Sequence, residues 1–289
     1  MPELPEVETV RRGLEHEVSG FTVVGIEVFD SRALRRNRLE EREFLKELVG
    51  QRLNLFKRRG KFLWIPLSNS RCLVAHLGMS GQILVRNPNY PLEKSERVRF
   101  HVERDRSTLE IRFIDQRLFG GLYVDTLVQN SEQDYVPASA SHIALDPLEP
   151  RFDREKVAAV IHSRRAGIKS LLLNQEIVSG IGNIYADETL WKAKTHFLTP
   201  GQDLSTKEIV KILSIGQGVL ANALENNGTS FDQQYKNVNG LSGSYSQFLK
   251  AYGQTGRPCS RCKTPIVRQA WSNRGSHFCP RCQQPKRPS

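Results

Sequence analysis

The sequence predicts a two-domain α+β protein, and three observations lead to this prediction. The chain has 289 residues, a length typical of two domains of about 150 residues each. Short strand-like runs dominate the chain as far as Val124, whereas helical periodicity dominates the part beyond residue 150. Near the end, four cysteines are grouped in two pairs, a spacing typical of a small metal-binding module.

The first predicted domain, residues 1–130, begins with a helix and continues as strands. Val7, Val10, Leu14 and Val18 recur at spacings of three and four residues, which predicts a helix over 7–18. The runs that follow are short and separated by turns, as in a β-sandwich or a barrel. They cover residues 22–29, 62–67, 72–77, 82–86, 98–103, 108–114 and 121–124.

A linker is predicted over residues 131–150, where Pro137, Pro147 and Pro150 interrupt regular structure. Residues 151–250 form the second predicted domain. Apolar periodicity there predicts helices over 153–164, 168–174, 184–193 and 206–226. The stretch from Asn237 to Ser246 is rich in Gly, Ser and Asn, a composition typical of a surface loop.

Composition restricts the class of protein. Hydrophobic residues at 38% and charged residues at 25% are typical of a globular chain and exclude collagen-like, coiled-coil and disordered sequences. Apolar runs stay far below the roughly 18 residues that a membrane span needs. The start of the chain is acidic where a secretory signal is basic, so we expect a protein of the cytosol.

The formal net charge of +11 is unevenly distributed along the chain. Residues 233–289 contain ten basic and no acidic residues, whereas the preceding part is almost neutral. This asymmetry is typical of proteins that bind a polyanion, although a basic tail that only aids solubility would have the same composition.

The four grouped cysteines predict one structural zinc ion. Cys259 and Cys262 are separated by two residues, as are Cys279 and Cys282, and sixteen residues lie between the pairs. Two such pairs supply four thiolates to one tetrahedral ion, and a cytosolic setting disfavours the alternative of two disulfides. Residues 265–271 and 276–278 are expected to form a hairpin with Arg274 in its turn, within reach of a phosphate.

The first residues of the chain combine an amine and carboxylates. After removal of Met1 the chain would begin at Pro2, whose secondary amine is more often free base at neutral pH than a lysine is. Such an amine can act as a covalent nucleophile, with Glu3 as a proton donor and Glu6 as a hydrogen-bonding group. The alternative is that these residues are only the acidic start of a capped helix.

A glycine turn over residues 180–182 precedes a predicted helix, with Asn183 at its expected N-cap. Glycines permit close backbone approach, and the free N–H groups at a helix start attract a phosphate. Arg164 and Lys169, one helix earlier, add cations that either grip the same phosphate or lie on a solvated face. The fifth cysteine, Cys72, is expected to be a buried thiol in a strand.

Four motifs in order resemble the formamidopyrimidine-DNA glycosylase family. They are the N-terminal Pro2-Glu3-Leu4-Pro5-Glu6, the segment His76-Leu77-Gly78-Met79-Ser80-Gly81, the segment Gly180-Ile181-Gly182-Asn183-Ile184-Tyr185-Ala186 and the four-cysteine module. The resemblance covers almost the whole chain. It implies an N-terminal β-sandwich with a leading helix, a helix-two-turns-helix domain and a zinc finger over residues 251–289.

The resemblance also implies the activity and its setting. Family members are bifunctional DNA glycosylases and abasic-site lyases of base excision repair that act on oxidised purines such as 8-oxoguanine and formamidopyrimidines. The implied partner is double-stranded DNA that contains an oxidised base or an abasic site. The chain is then expected to be a monomer with one structural Zn²⁺, located in the bacterial cytosol at the nucleoid, with the damaged nucleotide flipped out of the duplex.

The same resemblance implies residue roles. Pro2 is the nucleophile, Glu3 the acid, Lys61 a proton donor in β-elimination and Arg274 a phosphate contact needed for δ-elimination. Glu6 binds the lesion, and the loop from Asn237 to Ser246 closes over it. Met79, Arg117 and Phe119 fill the gap left by the extruded base, and the other implied DNA contacts are His76, Arg97, Arg164, Lys169, Asn183 and Tyr252.

Some positions depart from the common family pattern. Gln116 and Leu118 replace residues that are often Pro and a basic residue, and Ser95 occupies the place of a frequent DNA-contacting His, for which Arg97 is a possible substitute. Leu4 favours this family over the endonuclease VIII branch, which usually has Gly there and prefers oxidised pyrimidines. A preference for oxidised pyrimidines and a non-catalytic zinc-ribbon DNA-binding protein are the two alternatives.

Overall fold

Short antiparallel strands make up most of the first part of the chain, and helices make up the second. The computed structural model describes residues 2–229 and 237–285. Its helices are α1 (Leu4–Val18), α2 (Glu41–Leu48), α3 (Arg154–His162), α4 (Ile168–Leu173), α5 (Asn183–Ala193) and α6 (Thr206–Glu225). Its strands are β1 (Phe21–Val28), β2 (Arg52–Leu53), β3 (Lys57–Arg59), β4 (Phe62–Pro66), β5 (Arg71–His76), β6 (Gly81–Arg86), β7 (Glu96–Arg104), β8 (Ser107–Asp115), β9 (Gly121–Gln129), β10 (Tyr135–Pro137), β11 (Val267–Trp271) and β12 (Arg274–Phe278).

The strands of the first part form two sheets that enclose one hydrophobic core. The first sheet has the order β2-β1-β7-β8-β6 and the second the order β10-β9-β5-β4-β3. All paired strands are antiparallel. Apolar side chains of both sheets and of α1 share one buried cluster, as expected for alternating inward positions of a sandwich. The predicted sandwich with a leading helix is confirmed.

Helix α1 begins three residues earlier than its apolar periodicity predicts. Glu3 is the N-cap, with extended backbone, and it forms a reciprocal capping box with Glu6. Pro5 lies in the first turn, where its missing N–H would have no helical partner in any case. Capping therefore places the start of the helix beside the first residues of the chain.

Several short elements are not predicted by the apolar periodicity of the sequence. Helix α2 and strands β2, β3 and β10 have two to eight residues, too few for a distinct period. Strand β10 lies within the predicted linker and pairs with β9. In the same region, Arg59 of β3 forms ion pairs with Asp134 at 2.6 Å and Glu132 at 3.3 Å. The start of the linker is thus part of the sandwich.

Contacts between Cα atoms divide the chain into two units. Met1–His142 and Asn226–Ser244 form one, and Ile143–Glu225 and Tyr245–Ser289 form the other. In the second unit α5 packs against α4, α6 and β12, and Ile184–Trp191 of this helix are all buried. No helix among the described residues is long and apolar enough to cross a membrane.

Candidate active site and nucleic-acid interface

The first residues of the chain are held in one conformation by Glu6. The Glu3 N–H donates to Glu6 Oε2 at 2.8 Å, and both carboxylate side chains belong to residues that are only 2% exposed. The Val7 N–H donates to the Glu3 carbonyl at 3.1 Å, which starts the helix, and Pro2 is itself buried. The predicted nucleophile and acid therefore lie side by side on an ordered helix start.

The second oxygen of Glu6 holds a distant segment. Glu6 Oε1 accepts from the Thr229 N–H at 2.7 Å and from its hydroxyl at 3.0 Å. Gly228 has φ +78, and a Cβ there would lie 2.7 Å from Glu6 Oε1, so a larger residue cannot take this place. In the structure Glu6 thus joins α1 to residues 228–229, and its contact with a lesion stays a prediction.

A buried ion pair connects α1 to the turn that carries Lys61. Arg58 donates from Nε to Glu8 Oε2 at 2.9 Å and from Nη1 to the Gly60 carbonyl at 2.9 Å. Burial alone would raise the pKa of Glu8, but the hydrogen bond from Arg11 and the charge of Arg58 lower it below its usual value. Lys61 is consequently positioned by the same helix that presents Pro2 and Glu3.

His76 is a neutral hydrogen-bond donor near Lys61. Burial and the charges of Arg36 and Lys61 lower the pKa of His76 to about 4, so its ring is uncharged at neutral pH. The Gly78 N–H donates to His76 Nδ1 at 3.2 Å, which leaves the ring proton on Nε2. Nε2–H can donate to a phosphate oxygen without the cost of burying a further cation.

Two loops present the predicted wedge. Met79 is 46% exposed and Phe119 is 48% exposed, although both are large and apolar, and Arg117 is also exposed. Gly78 has φ +58, and a Cβ there would lie 2.4 Å from the Gly120 nitrogen, so the loops can be this close only because Gly78 has no side chain. Exposed apolar side chains on two tightly packed loops are suited to insertion between stacked nucleobases.

Arg97, in β7, and Ser95, in the turn just before it, support the wedge. Arg97 donates from Nε to the Asp115 carbonyl at 2.9 Å and pairs through Nη1 with Asp30 at 3.0 Å. The Ser95 carbonyl accepts from the Asp115 N–H at 3.1 Å. The guanidinium of Arg97 therefore contacts other residues of the protein, and in this structure it holds the end of β8 at Asp115, where the wedge begins.

In the second unit, the glycine turn is fixed by Gln175. The Gly180 N–H donates to Gln175 Oε1 at 2.9 Å, and Gln175 Nε2 donates to the Ile181 carbonyl at 3.0 Å. The predicted N-cap is wrong by one residue, because Gly182 caps α5 and Asn183 is its first helical residue. The Asn183 side chain does not cap the helix; its Nδ2 donates to the carbonyl of Gly275 at 3.0 Å, and Gly275 directly follows Arg274.

The side chain of Lys169 is fully buried. Its Nζ lies 2.6 Å from Asp187 Oδ1, donates to Ser276 Oγ at 2.8 Å and lies 5.2 Å from the Trp271 ring centre. Asp187 Oδ2 accepts from the His277 N–H at 2.9 Å. Lys169 thus holds the hairpin in place instead of presenting a cation to solvent, whereas Arg164 is exposed after the end of α3.

The hairpin itself differs slightly from the prediction. Arg274 is the first residue of β12 and pairs with Trp271, and the turn consists of Ser272 and Asn273, which both have positive φ. This is the backbone of a two-residue hairpin turn that matches the twist of its strands. Arg274 remains exposed at the hairpin end, and its neighbour Gly275 is held by Asn183 and Lys169.

Glu188 positions the segment with Tyr252. Its Oε1 accepts from the backbone N–H groups of Ala251 at 2.8 Å and Tyr252 at 2.9 Å. Burial raises the pKa of Glu188 above its usual value, although these hydrogen bonds oppose the shift. The Tyr252 ring lies 4.8 Å from the His277 ring, edge to face. Helix α5 therefore organises the glycine turn, the hairpin and Tyr252 together.

The four grouped cysteines fit one zinc ion. Their sulfur atoms all lie within 4.8 Å of one another, and Cys262 lies 3.4 Å from both Cys279 and Cys282. Sulfurs about 2.3 Å from a tetrahedral Zn²⁺ are separated by about 3.8 Å, which agrees with this spacing. All five cysteines are free thiols, so the disulfide alternative is not adopted. The predicted zinc module is confirmed.

Sequence reasoning missed the groups that hold the site together. Glu8, Asp115, Gln175, Asp187 and Glu188 each connect a segment with a candidate functional residue to another part of the same unit. Their only sequence signal is that they stand within five residues of a motif position. Gln175 and Asp115 contact residues five positions away, whereas the partners of Glu8, Asp187 and Glu188 are 50 or more residues away, so the motif alone does not reveal those contacts.

Comparison with known proteins agrees with this geometry. Three family models match: the formamidopyrimidine-DNA glycosylase N-terminal domain over residues 1–122, the formamidopyrimidine-DNA glycosylase H2TH domain over 143–234, and a zinc finger found in FPG and IleRS over 256–285. Together they match well over half of the chain.

Similar proteins match over almost the full chain. A formamidopyrimidine-DNA glycosylase of Leifsonia xyli is 49% identical over 296 residues, which cover 98% of this chain and 100% of that protein. One of Streptomyces coelicolor is 46% identical, with 99% of each covered. Among solved structures, the complex of Lactococcus lactis Fpg with abasic-site DNA has a TM-score of 0.84 and 30% identity, with 98% of this chain and 99% of that chain covered. The chain belongs to the formamidopyrimidine-DNA glycosylase family.

Proposed function

We propose that this protein is a bifunctional DNA glycosylase and abasic-site lyase that removes oxidised purines from double-stranded DNA in base excision repair. The observation that carries the proposal is the start of α1, where Pro2 and Glu3 are buried and held by Glu6. Family membership over the whole chain supports the same activity. Its substrate, chromosomal DNA, would place the protein in the bacterial cytosol at the nucleoid.

The first chemical step uses the Pro2 amine, which becomes available once Met1 has been removed. The nitrogen lone pair forms a bond to the sugar C1′, and the electrons of the glycosidic bond leave with the damaged base. Glu3 supplies a proton to the departing group or to the ring oxygen. The nitrogen then loses its proton, and its lone pair forms a double bond to C1′ as the bond between C1′ and the ring oxygen breaks. Because the proline nitrogen already has two carbon substituents, the product is an iminium ion.

The following steps cleave the strand by elimination. Loss of a proton from C2′ expels the 3′ phosphate, and loss of a second proton, from C4′, expels the 5′ phosphate. We assign Lys61 to proton transfer in the first elimination, since the Arg58 bridge fixes its turn to α1. We assign Arg274 to the phosphate in the second, since the hairpin end that presents it is held by Asn183 and Lys169.

The remaining residues hold the duplex. His76 donates from Nε2 to a phosphate, and Arg164, Asn183 and Tyr252 contact the backbone. Met79, Arg117 and Phe119 enter the gap left by the flipped nucleotide, which offsets part of the unstacking cost of a few kcal/mol. Lys169 and Arg97 act through the segments that they support. The zinc ion, held by Cys259, Cys262, Cys279 and Cys282, provides structure and no reaction chemistry.

Reduction with borohydride tests the covalent step. Borohydride converts the iminium ion into a stable amine, so incubation with an 8-oxoguanine duplex should yield a protein–DNA adduct. Peptide mass analysis should locate the DNA on the nitrogen of Pro2, and Glu3→Gln should yield less adduct from the intact lesion. An adduct on a lysine, or none from a chain that begins at Pro2, would contradict the mechanism.

The substrate preference is tested separately. Leu4 is completely buried in the first turn of α1 and is the residue that favours a preference for purines. We expect faster single-turnover excision from an 8-oxoguanine duplex than from a duplex that contains an oxidised pyrimidine. The reverse order would assign the same chemistry to oxidised pyrimidines, and DNA binding without excision would indicate a protein that only binds.

A further inference from the structure

The segment after β1 is fixed against the second sheet beside His76. Asn37 Oδ1 accepts from the Val124 N–H at 3.0 Å, which holds this segment to β9. The Ala33 carbonyl oxygen lies 2.8 Å from the place of a Cβ on Gly121, so the two backbones are in close contact. Gly121 is the direct partner of His76 in the sheet. Arg36, between Ala33 and Asn37, is therefore held near His76.

The charge of Arg36 acts on two side chains of the same sheet face. Burial and, to a lesser degree, the charges of Arg36 and Lys61 together lower the pKa of His76 to about 4. Burial raises the pKa of Tyr123, and the charge of Arg36 opposes that rise. His76 and Tyr123 project from the same face because they occupy alternate positions of the paired strands β5 and β9. The Arg36 guanidinium is consequently close enough to this face for its charge to act on both side chains.

Arg36 is available for a ligand. It is exposed, and within residues 2–229 and 237–285 it has no described ion pair, whereas nearby Arg32 is paired with Asp30 at 2.8 Å. Two cations and the Nε2–H donor of His76 thus converge on one surface. Like charges held together repel each other, and an anion that binds among them removes this repulsion.

We propose that Arg36, Lys61 and His76 form one phosphate-binding site, in which Arg36 contacts a phosphodiester of the bound duplex. Guanidinium suits this ligand because its planar donors can bind two phosphate oxygens at once. The ligand class rests on the proposed function, but the convergence of the three groups does not. Arg36 is thereby a DNA-binding residue outside the motifs that define the family resemblance.

The test is the salt dependence of duplex binding by Arg36→Gln. Each phosphate contact contributes about 0.9 to the slope of log K against log salt, so the slope should fall by about 0.9 and affinity at 0.15 M salt by about fivefold. Arg106→Gln is the matched control, because it removes the same charge from an exposed turn at the opposite end of β8 from Asp115. Equal slopes for the two variants would overturn the proposal.

A second measurement does not depend on activity. The pKa of His76, followed by NMR, should rise in Arg36→Gln and stay unchanged in Arg106→Gln, and no rise would contradict the proximity of Arg36. Inorganic phosphate should perturb the His76 resonance in the parent protein more than in Arg36→Gln. Perturbation by phosphate with no change in the duplex slope would assign the site to a free anion and refute the DNA contact.

These outcomes separate this proposal from the proposed function. If borohydride trapping fails in the parent protein, the glycosylase mechanism fails, whereas the slope and the His76 titration still decide the role of Arg36. If trapping succeeds and the slopes of the two variants agree, only the assignment of Arg36 is wrong.

Discussion

Asp115 should control the wedge without touching DNA. Its carboxylate is completely buried at the end of β8 and joins the two wedge loops. Oδ1 accepts from the Ser80 hydroxyl at 2.5 Å and the Arg117 N–H at 3.1 Å, and Oδ2 accepts from the Gly120 N–H at 2.7 Å. Ser80 follows Met79, and Arg117 and Gly120 enclose Phe119. Asp115→Ala should therefore loosen both apolar tips.

The size of the effect follows from these three hydrogen bonds. A hydrogen bond to a charged group contributes about 1.5–3 kcal/mol, so three give a nominal total of about 4.5–9 kcal/mol. Removal of the carboxylate also relieves the cost of its burial, which offsets part of that total. We expect Asp115→Ala to lower the free energy of unfolding by about 3–5 kcal/mol. Asp115→Asn should lower it less, because it keeps the shape and one acceptor oxygen.

Two assays separate positioning from folding. Urea unfolding measures the stability of each variant, and all activity is compared below its unfolding transition. Single-turnover excision from a paired lesion requires extrusion, so Asp115→Asn should slow it at least about tenfold, equal to about 1.4 kcal/mol. Borohydride trapping on a single-stranded abasic site requires no extrusion and should remain within about twofold.

Asp105→Asn is the control for the effect of Asp115→Asn on stability and on excision. Asp105→Asn removes a carboxylate from an exposed turn at the other end of β8, at a positive φ that Asn tolerates, and should change neither quantity. If Asp115→Asn slows both reactions equally, or if Asp115→Ala is as stable as the parent protein, the assignment of Asp115 to the wedge is wrong.

Three further predictions follow from the buried and metal-binding groups. Cys279→Ser should release zinc and abolish DNA binding, measured by metal analysis and anisotropy, while the sandwich remains folded. The pKa of His76 is lowered to about 4, so the folded protein disfavours the protonated ring that the unfolded chain accepts below about pH 6.5. The free energy of unfolding should therefore decrease by up to about 3 kcal/mol as pH falls from about 6.5 to 4. In urea unfolding, His76→Gln should remove this His76 contribution to the pH dependence. Lys169→Met should cost about 3–5 kcal/mol because it leaves the buried Asp187 charge without its lysine partner, and adding Asp187→Asn, which removes that charge but keeps an acceptor for the His277 N–H, should restore most of it; no recovery would contradict the ion pair.

The long elements of the fold could be predicted because their patterns are long. Helix α6 and the strands of the sandwich core repeat an apolar period often enough to be distinguished from chance. Helix α2 buries only Phe44 and Leu48, and β2 and β3 are stabilised by their neighbours in the sheets. The start of α1 depended on the capping box, which the apolar period does not contain.

Candidate residues could be identified by chemical type, but their neighbours could not. Asn183 was expected to cap α5, yet its amide is bonded to Gly275, which is 92 residues away. Glu6 was expected to face a ligand, and it also holds Thr229, which is 223 residues away. Such contacts depend on how distant segments pack, and no local pattern specifies that packing.

Local spacing in the sequence determined the zinc module, because two pairs of cysteines, each separated by two residues, can bind one ion wherever the module lies. The sequence alone also identified the motif residues at the start of the chain. The tertiary structure decided what each charge does. Lys169 and Arg36 are both cations in the sequence, but Lys169 is enclosed with Asp187 whereas Arg36 is exposed beside His76. A buried charge requires a partner and serves structure, whereas an exposed charge among like charges remains available for a phosphate.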